Sequence, residues 1–146
     1  TEQSQLFVDW LRDAGRSGDK DVTHAIGHVA CEISEDLEAD AIIASTVSGS
    51  TARRVASYRP STPILAPTPS PRTYRQLSLV WGVEPLLVDS FQDTEDMIVT
   101  VLKASEARGM VRQGDLVILT AGVPLGGSGQ TNLLKVHRVG EEKGWR

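Results

Sequence analysis

Apolar residues along this chain switch between two periods. Val22, Ile26, Val29, Ile33 and Leu37 recur at helical spacing, which predicts an amphipathic helix over about 20–38. Ala41-Ile-Ile-Ala44 is a short, wholly apolar run, the pattern of a buried strand. About 51–58 reads as helix, stopped by Arg59-Pro60. Pro63-Ile-Leu-Ala66 reads as a second strand. Ser70-Pro71 is a helix start, with Ser as the cap and Pro at the first helical position. That helix carries Tyr74, Leu77 and Val80, and Gly82 suits its C-terminal cap. A third strand is expected over 84–88. A helix over 93–107 turns Met97, Ile98, Val101 and Leu102 inward and is closed by Gly109. A fourth strand over 116–119 leads into a Gly-rich loop, and a fifth over 133–139 alternates imperfectly. Ahead of all this, Leu6, Phe7, Trp10 and Leu11 form a short amphipathic pattern broken by Gly15-Arg-Ser-Gly18. Residues 1–18 therefore read as a lead-in segment and 19–146 as one domain.

Strands that alternate with helices predict βαβ units and a parallel sheet. The last strand follows only a loop of about a dozen residues, too short to hold a crossover helix, so it should run antiparallel at an edge. The expected fold is a three-layer α/β/α domain. Its five-stranded mixed sheet has four parallel strands and an antiparallel last strand.

Composition narrows the function classes. The chain has 146 residues, enough for one real core, and its net charge of −4 argues against a nucleic-acid partner. No run approaches the roughly 18 apolar residues of a membrane span. No signal-peptide pattern opens the chain, and the single Cys31 has no partner for an internal disulfide. The expectation is a cytoplasmic domain with no membrane and no nucleic-acid contact.

Two loops could carry chemistry. Thr46-Val-Ser48-Gly49-Ser50-Thr51 leaves the carboxyl end of the first strand and opens a helix. Helix-start amides and hydroxyls suit a phosphate there, and Gly49 permits close backbone approach. The P-loop spacing and its lysine are missing. The other reading of this turn is a plain helix cap by Ser48 or Ser50. Arg53, directly after the turn, is the arginine best placed to reach a phosphate, among Arg53, Arg54, Arg59, Arg72 and Arg75. The second loop, Thr120–Asn132, is rich in glycine and reads either as a lid over the first or as a flexible connection.

Other features are weaker. His24, His28 and Glu32 share one helical face, with Cys31 near it. But Ala25 stands where a zinc-binding H-E-x-x-H motif needs Glu. This face lies opposite the Val22/Ile26/Val29 stripe and is expected to be solvated or subunit-facing, with no metal. Trp81 reads as core or interface. His137 has no placed partner, and no catalytic set emerges.

Taken in order, several segments resemble one family. They are AIIASTVSGSTARR from Ala41, YRPSTPI from Tyr58, YRQLSLVWGVEP from Tyr74, GDLVILTAGVP from Gly114 and SGQTNLLKV from Ser128. Over about residues 20–140 the chain resembles the C-terminal domain of pyruvate kinases. That resemblance implies a regulatory α/β domain whose Thr-x-Ser-Gly-x-Ser/Thr loop cradles a phosphate of a sugar phosphate such as fructose 1,6-bisphosphate. Carried over, the loop is Thr46, Ser48, Gly49, Ser50 and Thr51. The closing loop is Gly127, Ser128, Gly129, Gln130 and Thr131. Fructose-bisphosphate-regulated animal members add a Trp and an Arg to grip a second phosphate. Here Ser90–Met97 is shorter, and Met97 aligns with that Arg. Bacterial relatives often use monophosphates, so the implied effector is a sugar phosphate or a nucleotide monophosphate. The resemblance also implies a homo-oligomer through this domain's subunit interface. The family's catalytic residues lie on a barrel that alone needs about 250 residues. No catalytic residue is therefore expected here, and Mg and K belong only to the absent catalytic domain. The alternatives are a stand-alone, non-catalytic oligomerisation module and, behind it, a small hydrolase or phosphatase on this fold.

Overall fold

All four residues of β1, Ala41–Ala44, are buried, because helices cover both faces of the strand. The computed structural model describes residues 20–122 and 132–145. The lead-in segment 1–18 and the loop residues Gly127–Thr131 lie outside them. Around β1 stand α1 (Lys20–Asp36), α2 (Ser50–Ser57), β2 (Ile64–Thr68), α3 (Pro71–Leu77) and β3 (Val83–Leu87). Then come α4 (Thr94–Ala107), β4 (Leu116–Ala121), β5 (Leu133–Arg138) and a 3-10 turn over Glu141–Trp145.

The strand order is β3-β2-β1-β4-β5. The first four strands pair in parallel, and β5 runs antiparallel to β4. The entry to β1 is pinned by Asp40, whose N–H donates to Leu116 O at 2.8 Å. Its carboxylate in turn accepts from Leu116 N–H at 2.9 Å.

Two apolar layers hold the sheet. On one face Ile43, Leu65 and Leu119 pack against Met97, Ile98, Val101 and Leu102 of α4. On the other, Ile42, Ile64 and Ile118 meet Ala30 and Cys31 of α1, Ala52 and Val55 of α2, and Leu77 of α3. Each large side chain buried this way stabilises the fold by about 1.5–3 kcal/mol. Helix α4 starts at Asp93, whose carboxylate accepts from Asp96 N–H at 2.7 Å. Ser70 does the same for Thr73 N–H at 3.2 Å, and Pro71 follows at the first helical position.

Three expectations are corrected. Helix α3 stops at Leu77 with Ser78 as its C-cap, and Gly82 (φ +85°) instead turns the chain into β3. Helix α1 buries a different face from the one its apolar stripe marks. Thr23, Gly27, Ala30, Cys31 and Ser34 point inward, whereas Val22 is 46 % exposed and Ile26, Val29 and Ile33 are half-buried. Small residues are needed there because α1 lies close to α2: a Cβ on Gly27 would sit 3.1 Å from Arg54 Cγ. Cys31 accordingly belongs to the core and not to the polar face.

Candidate functional site

The strand order reverses between β1 and β4, since β1 leads to β2 on one side and β4 lies on the other. In open α/β sheets this switch point opens a crevice beyond the carboxyl ends of the strands. Both loops singled out in the sequence leave those ends. The turn after β1 is described in full, whereas the glycine-rich loop after β4 is described only to Gly122.

The turn is braced internally. Thr46 Oγ1 accepts from Gly49 N–H at 2.8 Å. Ser48 Oγ accepts from Ser50 N–H at 3.3 Å and donates to Ser50 Oγ at 3.1 Å. Thr46, Gly49 and Thr51 are buried, Ser50 is half-buried and Ser48 is exposed. The turn is also tied to its neighbours. Ser45 N–H donates to Thr120 O at 2.9 Å, and Thr46 N–H to Pro67 O at 3.1 Å. Thr73 Oγ1 donates to Val47 O at 2.7 Å.

The helix start differs from the plain-cap reading. Neither Ser48 nor Ser50 is the N-cap of α2; that position is Gly49, at φ +93°, with no side-chain cap hydrogen bond. The left-handed backbone suits glycine, and the side of the turn that a Cβ would occupy is taken by an arginine. A Cβ on Gly49 would lie 3.1 Å from Arg53 Nη1 and 3.4 Å from its Cζ. The Arg53 guanidinium is thus folded back over the helix start, with Nη2 donating to Gln76 Oε1 at 3.5 Å. At this helix start Ser48 Oγ takes the first helical N–H, that of Ser50, and among the described residues the Arg53 guanidinium has no carboxylate partner.

Sequence reasoning missed three participants. Thr73 and Gln76 reach the turn from α3, which no local pattern reveals. Thr120, on β4 opposite Ala44, has a buried hydroxyl with no hydrogen-bond partner among the described residues. Its signal was a lone hydroxyl at the end of the apolar run Leu116–Leu119. Met97 sits in the core on α4, far from any role in gripping a ligand.

The other candidate residues resolve differently. His24 Nδ1 contacts Arg54 Nη1 at 3.1 Å, so this ring nitrogen is the acceptor. The Tyr58 ring meets His24 and His28 edge-on, at centroid distances of 5.4 and 5.2 Å. Among the described residues no three of His, Cys, Asp and Glu are grouped to hold a metal ion. Burial, reinforced by Glu35, pushes the Cys31 thiol up to about 12, so it stays protonated and unreactive at neutral pH. Burial, with a smaller contribution from Cys31, likewise pushes the Tyr58 hydroxyl up to about 12, against the opposing pull of Arg54. His137 is fully buried, with Nε2 3.4 Å from Glu142 Oε2 and Nδ1 3.0 Å from Lys135 Nζ. No described helix is long and apolar enough to cross a membrane.

Fold and turn together define an α/β domain with a crevice at its topological switch point. The family model described as pyruvate kinase, alpha/beta domain, matches residues 24–137, and the chain belongs to that family. It is 40% identical over 141 residues to the pyruvate kinase of Staphylococcus aureus strain USA300. That match takes in 97% of this chain but 24% of the relative, so the chain spans about a quarter of that protein's length. Two crystal structures of pyruvate kinase from Cryptosporidium parvum superpose on it. One has a TM-score of 0.71 at 33% identity, covering 81% of this chain and 23% of the other. The second has a TM-score of 0.69 at 31% identity, covering 81% and 22%.

Proposed function

We propose that this chain is the regulatory and assembly domain of a pyruvate kinase and binds a phosphorylated effector at the Thr46–Thr51 turn. The observation that carries the reading is the helix start at Gly49: the cap position is a left-handed glycine, and the Arg53 guanidinium folds over it. A sugar phosphate or nucleotide monophosphate would receive backbone and hydroxyl donors from Ser48, Gly49, Ser50 and Thr51, and charge from Arg53. Gly127, Ser128, Gly129, Gln130 and Thr131 would close over it from β4. Binding would favour one subunit arrangement, with a coupling of typically 1–3 kcal/mol. Phosphoryl transfer from phosphoenolpyruvate to ADP, with its Mg and K, would belong to a catalytic region outside this chain. The setting would be the cytoplasm.

Assembly has separate support. The domain's own core uses the apolar stripe of α1 only in part: Ile33 packs on it, whereas Val22 and Leu37 are exposed and Ile26 and Val29 half-buried, which leaves apolar surface for a subunit contact. A domain that assembles and binds no effector is therefore the second reading.

Thermal unfolding with ribose 5-phosphate, glucose 6-phosphate and fructose 1,6-bisphosphate tests the first. A ligand at 100 times its Kd stabilises by about 2.7 kcal/mol. Ser48→Ala and Thr51→Ala should abolish the shift. No shift with any sugar phosphate leaves the assembly reading, which sedimentation of wild type against Val22→Asp then examines.

A further inference from the structure

His137 stands apart from everything the crevice uses. The sequence leaves it without a placed partner, and the structure supplies two. Lys135 and His137 are two residues apart on β5, so both side chains leave the same face of the sheet. That face is the one α4 covers. Lys135 pairs with Leu119 and His137 with Val117, and both partners belong to the layer that packs on α4. The 3-10 turn after β5 brings Glu142 back onto the imidazole.

Three side chains thus form a relay from amine to imidazole to carboxylate. Lys135 Nζ lies 3.0 Å from His137 Nδ1, and His137 Nε2 lies 3.4 Å from Glu142 Oε2. A lysine ammonium can only donate, so Nδ1 is the acceptor and the ring proton sits on Nε2, facing the carboxylate. Glu142 is itself fixed, because Gly140 N–H donates to its two oxygens at 2.9 and 2.8 Å. His137 is 1 % exposed and Glu142 6 %, whereas Lys135 is only half-buried and open to a small reagent. A nucleophile, a base whose lone pair points at it and a third group that orients the base are the parts of an activated nucleophile. A purely structural ion pair would set the carboxylate directly on the ammonium. Here an imidazole in the tautomer of a base stands between them.

We propose that Lys135 is a self-activated acylation site, taking its acyl group from a donor of the acyl phosphate class. The amine form of Lys135 attacks the carbonyl carbon of the donor. A C–N bond forms, the C–O bond to phosphate breaks, and phosphate leaves with the electron pair. The proton released by Nζ passes to His137 Nδ1 and is then lost to water. Glu142 stabilises the imidazolium while it lasts. The product is a neutral amide, so β5 loses one positive charge. The site shares no residue with the Thr46–Thr51 turn, and the proposal stands whether or not that turn binds an effector.

Acetyl phosphate is the probe, and the acetylation rate at each lysine is read by peptide mass spectrometry. Lys103 and Lys143, both exposed, are controls within the same molecule. Burial alone would make Lys135 the slower. The relay should make it faster than either by at least about tenfold. His137→Gln should bring Lys135 down to their rate or below, with Lys103 and Lys143 unchanged. Glu142→Gln should slow Lys135 several-fold. It keeps an acceptor for Gly140 N–H, so it decides the matter if His137→Gln does not fold. The sign of the change separates a base from a packing element. Loosened packing would expose Lys135 and quicken its acetylation, whereas loss of a base slows it. The proposal is overturned if Lys135 reacts no faster than Lys103 and Lys143, or if neither variant slows it.

Discussion

Replacing Gly49 by alanine separates the two roles assigned to this residue. Its φ of +93° lies in the left-handed region, where an L side chain costs about 1–2 kcal/mol. Alanine also restricts the unfolded chain, which offsets about 0.4–1 kcal/mol of that cost. The backbone part of the penalty is therefore about 1 kcal/mol. The new Cβ would in addition stand 3.1 Å from Arg53 Nη1 and 3.4 Å from Thr73 Cγ2. The guanidinium is the far end of a flexible side chain and can withdraw, so the steric part adds only a few tenths of a kcal/mol to folding. Its effect on an anion should be larger, because the displaced group is the guanidinium that folds over the helix start. Gly82→Ala is the control: φ is +85°, but a Cβ there meets nothing within 4 Å. Urea unfolding should show the two variants destabilised by nearly equal amounts. Titration with a sugar phosphate should show binding lost in Gly49→Ala and kept in Gly82→Ala. Equal affinity in both variants would refute the assignment of the helix start as an anion seat. A Gly49→Ala penalty several kcal/mol above that of Gly82→Ala would refute the claim that Arg53 yields.

Three further outcomes are expected. Asp93→Ala removes the N-cap of α4 and should cost about 1 kcal/mol, read as a lower urea midpoint with unchanged slope. His137→Ala should cost about 2–4 kcal/mol, because it empties a fully buried site and leaves Glu142 without its ring partner. Glu142→Gln keeps an acceptor for Gly140 N–H and should cost less. Stability should fall in alkali through Cys31, whose pKa is raised from 9.0 to about 12 on folding. The contribution is complete below pH 9, where both states hold the proton. It is lost as pH rises from there, because the unfolded thiol ionises first. Tyr58 acts with the same sign from 10.0 upward. Urea midpoints from pH 8 to 11 should decline in wild type and decline less in Cys31→Ala.

How far the sequence could be read varied with the kind of information each element needed. β1 was legible to the residue, because a strand buried on both faces must be wholly apolar and Asp40 and Ser45 bound the run. The antiparallel last strand followed from the missing crossover helix. Helix α1 was legible as a helix but not in orientation. Periodicity reports an apolar stripe, and close packing against α2 demanded the small-residue face instead. The end of α3 was misplaced because Gly82 suits both a helix cap and a turn into a strand, and only β3 pairing with β2 decides between them. In the turn after β1, residue types pointed to the place. They did not show that Gly49 would be the cap, that Arg53 would fold back, or that Thr73 and Thr120 would join from other elements. Those contacts depend on chain segments far apart in sequence.

The strand order carries a kinetic consequence. β1, β2 and β3 are joined by short connections and can assemble from neighbouring sequence. β4 reaches β1 only by closing a long loop, the Asp40–Leu116 hydrogen bond spanning 76 residues. Closing a loop of that length costs entropy before any contact returns it, so this pairing is expected to form late. The crevice between β1 and β4 is therefore the last feature of the domain to exist during folding and the first to vanish when β4 and β5 detach. Anything held there would act as a clasp on the final step of assembly, slowing escape from the native state and leaving the earlier half of the sheet untouched.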